Sequence, residues 1–182
     1  MLRICIGGFS SSGKTTLGRK LSRELKVLHI TKGILNTYKE FKTQNRGRET
    51  SGINIIQTME KKYANSFDDE VIRLAARNNC VVSTWLGPWL VKSPTVNVWL
   101  NASFEQRSRR RAKDKGIGLK AAKAYIEKKD RLTLKAFKEI YKINANDRSR
   151  FDIELNTEKL SRKEMISLIS MLALQREKLT FR

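Results

Sequence analysis

Short apolar segments alternate along the chain with longer segments in which apolar residues recur at helical spacing. The apolar segments predict strands at Leu2–Gly7, Val27–Ile30, Cys80–Thr84, Thr95–Leu100 and Phe151–Leu155. The periodic segments predict helices at Lys14–Leu25, Lys32–Phe41, Ile53–Tyr63, Asp68–Arg77 and Leu119–Tyr141, with a basic helix after Ser103 and a last helix after Ser161. Strands that alternate with helices favour βαβ units around a parallel sheet. The pattern therefore predicts an α/β fold with a five-stranded parallel sheet between helical layers, in a single domain over residues 1–182.

Polar residues indicate where some helices begin and end. Ser103 with Gln106, and Ser161 with Glu164, have the spacing of a capping box. Asp68 stands at the start of a predicted helix, where a carboxylate satisfies free backbone amides, so we interpret it as a capping residue.

The chain is strongly basic, and the excess is concentrated in one region. Its 38 Lys and Arg against 18 Asp and Glu give a net charge of +20. Within Gln106–Arg150 there are 16 basic and 5 acidic residues, a net +11. Such a segment is typical of a lid that closes over phosphates or of a nucleic-acid-binding face, and a solvated lysine-rich helix surface explains most of its lysines.

Composition also limits the setting in which the protein works. No apolar run reaches 18 residues, so we expect no membrane span, and the N-terminal segment has no signal-peptide pattern. Cys5 and Cys80 lie in apolar runs and are interpreted as buried thiols in a reducing compartment. We therefore expect a cytoplasmic protein, and a monomer.

One motif in the sequence carries specific chemistry. Residues 8–15 read Gly-Phe-Ser-Ser-Ser-Gly-Lys-Thr, which fits G-x-x-x-x-G-K-[ST] between a strand and a helix, the context that this phosphate-binding loop requires. Successive backbone amides and the helix N-terminus bind the phosphates, and Lys14, which we expect to be exposed on the loop, places a cation beside them. Thr15 offers a hydroxyl to Mg²⁺, and Thr16 supports the α-phosphate. The residues predicted to bind the nucleotide are Gly8, Phe9, Ser10, Ser11, Ser12, Gly13, Lys14, Thr15 and Thr16.

The remaining sequence narrows the class of phosphate-loop protein. The chain lacks the D-x-x-G and N-K-x-D motifs of GTPases, and its third strand carries no carboxylate of the kind that ATPase motors use. An arginine-dense segment instead follows the fourth strand. Arg107 and Arg110 are three residues apart and share a helix face, so we predict that they act catalytically from a lid at about 107–120, the alternative being surface arginines. These features predict a small kinase of the phosphate-loop fold with a helical lid.

Several segments together resemble the archaeal-type cytidylate kinases, which are nucleoside monophosphate kinases. The resemblance covers nearly the whole chain and lies in the phosphate loop, the segments 29–33 and 98–102, the lid arginines, and the tail at 141–147 and 151–157. It implies ATP as donor, CMP or dCMP as acceptor, Mg²⁺, and a role for Arg107 and Arg110 on the phosphoryl group. The chain differs from the family pattern after Gly33, where Ile34–Thr37 replace an acidic residue and an arginine, and at Lys129 and Ala136 in the long helix.

Candidate acceptor residues lie where the second and third strands end. Thr31 and Gly33 are predicted to line the acceptor site, and Trp85 is predicted to stack on a base, with packing as the alternative. Trp99 lies inside a predicted strand, so we expect it in the core. His29 is not needed as a base, because a phosphate acceptor is already anionic.

Three functions follow from these patterns. The first is an ATP-dependent nucleoside monophosphate kinase, with nucleotides as its small-molecule partners. The alternatives are a small-molecule kinase with a different acceptor, and an RNA-associated ATP-binding protein, which the basic surface suggests but the site residues do not favour.

Overall fold

The structure is a computed structural model that describes residues 1–31 and 61–180, with only the backbone described at 61–66 and 179–180. Its strands are β1 Arg3–Gly8, β2 Leu28–Ile30, β3 Cys80–Val82, β4 Val96–Asn101 and β5 Ile153–Asn156. Its helices are α1 Lys14–Glu24, α2 Lys61–Arg77, α3 Gly87–Leu90, α4 Phe104–Lys115, α5 Leu119–Glu139 and α6 Arg162–Thr180. The predicted helix at 32–41, most of the one at 53–63, and the candidate residue Gly33 lie outside the described residues.

The strands form one parallel sheet in the order β2-β3-β1-β4-β5, which confirms the predicted five-stranded parallel sheet. β1 is central, and Ile4 pairs with Val81 of β3 on one side and Val96 of β4 on the other. The connections therefore change direction beside β1. In an open α/β sheet, ligands bind in the crevice beyond the carboxyl ends of the strands at such a switch point.

Alternate residues of the central strand face two separate hydrophobic layers. Ile6 packs in a buried cluster with Leu21 of α1 and Ile169 of α6. Cys5 packs on the opposite face of the sheet with Val71 of α2. This period of two gives the predicted three layers, because a strand buried on both faces needs helices on both sides. Among the described helices, none is long and apolar enough to cross a membrane.

The two predicted capping boxes have different outcomes. At α6 the box is complete, because the Ser161 amide donates to Glu164 Oε2 at 2.7 Å and the Glu164 amide donates to Ser161 Oγ at 3.2 Å. At α4 the Gln106 amide donates to Ser103 Oγ at 3.2 Å, but the Ser103 amide donates to Glu158 Oε1 at 2.6 Å. The start of α4 is therefore tied to the segment after β5.

The interpretation of Asp68 as a helix cap is wrong. Asp68 lies inside α2, only 5% exposed, and accepts a hydrogen bond from the Tyr141 hydroxyl at 2.6 Å. Burial raises the pKa of Asp68 to about 6, although the Tyr141 hydrogen bond opposes this shift. The sequence pattern misplaced the start of the helix, so a buried hydrogen-bonding residue was taken for a terminal one.

Candidate active site

The phosphate-binding loop joins β1 to α1 through backbone that only some residues adopt easily. Gly8 has φ 141°, Ser11 60° and Gly13 106°, all in the left-handed half of conformational space. A Cβ added at Gly8 would lie 2.6 Å from the Leu100 carbonyl oxygen. A loop of this kind, ending at a helix N-terminus, turns successive amide groups toward one point and forms an anion-binding nest.

Two side chains of the loop indicate a polar ligand. The hydroxyl oxygens of Ser10 and Ser12 are buried and have no hydrogen-bond partner among the described residues. Buried polar groups in proteins are paired with protein, water or ligand in the large majority of cases. The loop therefore has unfilled hydrogen-bonding capacity where phosphate oxygens are expected.

Lys14 is buried, which corrects the expectation that it lies exposed on the loop. Its side chain folds back so that Nζ donates to the carbonyl oxygens of Gly8 at 2.7 Å and Phe9 at 2.8 Å, and the residue is 8% exposed. Nζ also lies 5.1 Å from the centre of the Trp85 ring. Burial lowers the pKa of Lys14 to about 7, with Lys129 contributing in the same direction. The Asp130 carboxylate opposes this shift, and a bound polyphosphate would add further negative charge beside the ammonium.

The structure brings both predicted lid arginines onto the phosphate-binding loop. Arg107 Nη1 donates to the Ser10 carbonyl at 3.2 Å, and Arg110 Nη1 donates to the Ser12 carbonyl at 3.3 Å. Their shared helix face is therefore confirmed. Arg109, between them, points outward with a side chain that is 65% exposed. α4 thus presents two guanidinium groups to the loop, as an electrostatic role in phosphoryl transfer requires.

Each lid arginine has a second anchor that the sequence did not predict. Arg107 forms an ion pair with Asp130 of α5, at 2.5 Å. Arg110 donates to the Thr157 hydroxyl at 2.8 Å and to its carbonyl oxygen at 2.7 Å. One signal was available in each case. Asp130 interrupts a run of basic residues, and Thr157 ends the tail segment that carries the family resemblance.

Trp85 lies beside the phosphate-binding loop and belongs to a closed ring of aromatic side chains. Each ring meets the next edge-on, with centroids 5.1–5.8 Å apart. In order, the members are Phe9, Trp85, Phe137, Trp89, Phe151 and Trp99. Trp99 is 2% exposed, which confirms its predicted core position. Trp85 is half-buried, so part of its surface stays accessible.

A hydrogen bond of His29 connects β2 with the segment that follows β3, and the surroundings of this histidine do not favour a role as a general base. His29 Nε2 lies 2.9 Å from Ser83 Oγ, and burial lowers the pKa of His29 to about 4, with a smaller contribution from Arg19. The imidazole is therefore neutral near pH 7, and it links the two strands. Thr31 follows β2 directly and is half-buried at this edge of the sheet, where the acceptor is expected.

Thr15 fits the role predicted for it toward Mg²⁺. Within 1–31 and 61–180, no group of His, Cys, Asp and Glu is arranged to enclose a metal ion. Thr15 stands exposed in the first turn of α1, directly after the loop. Mg²⁺ retains several waters and commonly takes one or two protein ligands plus phosphate oxygens, so a single hydroxyl suits this ion.

Comparison with known proteins gives a consistent result. Residues 3–159 match the cytidylate kinase-like family. The cytidylate kinase of Sulfurisphaera tokodaii is 30% identical over 173 residues, which is 91% of this chain and 92% of that protein. The cytidylate kinase of Thermococcus sibiricus is 30% identical over 156 residues, covering 86% of this chain and 79% of the relative.

Solved structures show the same fold. The shikimate kinase of Acinetobacter baumannii in complex with shikimate superposes with a TM-score of 0.60 at 18% identity, over 96% of this chain and 94% of that one. The three-layer phosphate-loop kinase fold is therefore shared with an enzyme of low sequence similarity. With the matched family and the geometry of the loop and lid, the chain belongs to the cytidylate kinase-like family, is of the archaeal type, and is a phosphotransferase whose acceptor is itself a phosphate group.

Proposed function

We propose that this nucleoside monophosphate kinase transfers the terminal phosphoryl group of ATP to CMP or dCMP. The observation that carries the proposal is the convergence of Lys14, Arg107 and Arg110 on one anion-binding loop. Relatives named cytidylate kinase, at 30% identity over most of the chain, support the choice of acceptor.

The residues of the loop and the lid divide the work of the reaction. The amides of residues 8–16 bind the β- and γ-phosphates, and Lys14 leaves the loop carbonyls to neutralise them. Thr15 would hold Mg²⁺, which neutralises phosphate charge when it is bound. Arg107 and Arg110 neutralise the charge that spreads over the transferred oxygens, in a site from which α4 and α5 exclude water.

The acceptor is proposed to bind beyond the carboxyl ends of β2 and β3. Thr31 is proposed to contact the monophosphate together with Gly33, which lies outside the described residues. The accessible face of Trp85 is proposed to stack on the base, because an aromatic surface beside the phosphate-binding loop can orient a planar heterocycle. The acceptor phosphate is anionic already, so no general base is required.

The protein is proposed to act as a monomer in the cytoplasm. Both thiols, Cys5 and Cys80, are buried and unpaired, and burial raises the pKa of Cys80 to about 11. Inert, reduced thiols of this kind are typical of proteins from reducing compartments.

A coupled assay tests the acceptor directly. ATP consumption is measured with CMP, dCMP, UMP, AMP and GMP, each with the wild type and with Lys14→Ala, which lacks the phosphate-binding ammonium. We expect the highest kcat/KM with CMP or dCMP, and a loss of about 10³-fold or more in the variant. Preference for a purine monophosphate would contradict the proposed acceptor. Turnover with none of the five would favour a different acceptor or a nucleic-acid-associated role.

A further inference from the structure

A carboxylate of α5 forms an ion pair with one of the two lid arginines. Arg107 Nη1 forms an ion pair with Asp130 Oδ2 of α5 at 2.5 Å, and the same Nη1 donates to the Ser10 carbonyl of the phosphate-binding loop. Arg107 Nε also donates to the Ala102 carbonyl at 3.3 Å. The guanidinium is therefore held from three directions: by the end of the β4 segment, by the loop and by α5.

Both members of the pair are removed from water. The side chains of Arg107 and Asp130 are 8% and 13% exposed. The Arg107 guanidinium also lies over the Phe9 ring, 5.2 Å from its centre. A buried cation without a counter-charge is strongly unfavourable, so the position of Asp130 decides where this arginine can stay inside the protein.

The pair is not arranged for greatest stability. Oδ1 of Asp130 is buried and has no hydrogen-bond partner in the part of the chain that the structure describes. A bidentate contact, in which both carboxylate oxygens accept from the guanidinium, would give Oδ1 a hydrogen-bond partner. Leaving a buried acceptor unpaired costs stability, so the geometry favours a role for Asp130 beyond holding helices together.

Contacts other than the Arg107–Asp130 pair also join α4 and α5. Lys123 of α5 forms an ion pair with Glu105 of α4 at 2.7 Å. The guanidinium of Arg111 lies 3.9 Å from the centre of the Tyr125 ring. The association of α4 and α5 therefore does not rest on Asp130 alone.

We propose that Asp130 is a positioning residue, which sets the Arg107 guanidinium against the phosphate-binding loop before the nucleotide arrives. The proposal rests on the proposed function, in which Arg107 acts on the transferred phosphoryl group. An arginine that is already held in place loses little conformational entropy when the triphosphate binds. More of its interaction energy is therefore available to stabilise the transition state. Asp130 touches neither nucleotide nor acceptor in this scheme and acts through Arg107.

The first test compares Asp130→Asn with Asp114→Asn. Asp114 lies on the lid with a side chain 69% exposed, so its variant makes the same change of charge away from Arg107. Turnover with ATP and the monophosphate, ATP affinity by calorimetry, and the melting temperature are measured. We expect Asp130→Asn to lower kcat about 10- to 100-fold without weakening ATP binding, since a nearby negative charge is removed. Asp114→Asn should match the wild type.

Two further variants separate positioning from a structural role. Asp130→Glu keeps the charge but moves the carboxylate, and it should fold normally with an intermediate loss of kcat. In an Arg107→Ala background, Asp130→Asn should change kcat by less than about twofold, because the residue it positions is gone. Equal losses from Asp130→Asn with and without Arg107 would overturn the proposal, as would wild-type kcat in Asp130→Asn.

The outcome can be read even if the proposed function fails. Should the wild type phosphorylate no monophosphate, the same four proteins (wild type, each single variant and the double variant) are compared for ATP affinity. If the changes in ATP affinity, of either sign, fail to add by more than about twofold, the link between Asp130 and Arg107 is supported; additive changes would overturn it.

Discussion

The predicted role of Lys14 and its burial oppose each other, because phosphate binding uses its positive charge and burial disfavours that charge. The sequence predicted its role, because the glycine-rich motif fixes which lysine faces the phosphates. The sequence did not predict its burial, because the Trp85 ring near its ammonium comes from a distant segment after β3. The charges of Lys129 on α5 and Arg107 on α4, which lower its pKa further, also come from distant segments. The result is an ammonium whose pKa is lowered to about 7.

This pKa makes ATP binding depend on pH. ATP binds the charged form of Lys14, so the nucleotide raises the pKa of the ammonium and binding takes up a proton when the free lysine is neutral. We expect ATP affinity to fall as pH rises from about 7 to 9, through the pKa of the free protein. Calorimetry at pH 8 in two buffers of different ionisation enthalpy should detect proton uptake. Uptake of no protons at pH 8 would show that Lys14 is already charged.

The same residue makes the ligand-free fold less stable. Between the folded pKa of about 7 and the ordinary value of 10.5, the unfolded chain binds more protons, so the free energy of unfolding should rise with pH in this window. Lys14→Met removes the buried cation. We expect it to stabilise the fold by about 1–3 kcal/mol at pH 7 and by little near pH 10. Urea unfolding at both pH values provides the measurement, and a variant less stable than the wild type at pH 7 would contradict the explanation.

At the scale of elements, apolar patterning correctly predicted the sheet and α1. It failed for features that are determined by tertiary contacts. Strand positions came out within two residues, because buried parallel strands read as short apolar runs. The capping box at α4 was only half correct, because Glu158 replaces Gln106 as acceptor. The partners of the lid arginines, Asp130 and Thr157, depend on how α5 and the β5 segment dock, which no local pattern encodes.

The packing of α1 against the sheet provides a test at this scale. A Cβ added at Gly18 would lie 2.6 Å from His29 Nε2 and 3.0 Å from Ser83 Cβ. We expect Gly18→Ala to lower the free energy of unfolding by about 1–3 kcal/mol, although alanine favours helices, because the methyl group has no space.

Gly118→Ala is the matched control, since a Cβ there meets nothing within 4 Å. It should have a much smaller effect on unfolding by urea. Equal effects of the two substitutions would mean that contact with His29 and Ser83 does not determine the change.

At the scale of the whole molecule, the aromatic ring connects the phosphate-binding loop to the lid and to the sheet. It links Phe9 of the loop with Trp99 of β4 and, through Trp85, with Phe137 of α5. The sequence predicted only that Trp99 is in the core and that Trp85 is near the site. The closure of the ring follows from the docking of α3, α5 and the segment before β5, so it could not be predicted from spacing.

The tryptophans of the aromatic ring provide a fluorescence test of ATP binding. All three tryptophans belong to it, and Lys14 Nζ lies 5.1 Å from the Trp85 ring centre in the ligand-free geometry. Movement of this cation to the phosphates changes the surroundings of Trp85. We expect a saturable change of tryptophan fluorescence with ATP that is mostly lost in Trp85→Phe and retained in Trp89→Phe. A full signal in Trp85→Phe would place the change elsewhere.

The central claim is that the loop at residues 8–16 and the lid arginines move a phosphoryl group from ATP to a nucleoside monophosphate. Transfer of label from ATP carrying ³²P in its γ-phosphate tests this most directly, with products separated after incubation with CMP. We expect labelled CDP from the wild type, none from Lys14→Ala, and far less from Arg110→Ala at saturating ATP. Labelled phosphate alone, with no labelled nucleoside diphosphate from CMP or any other monophosphate, would contradict the account.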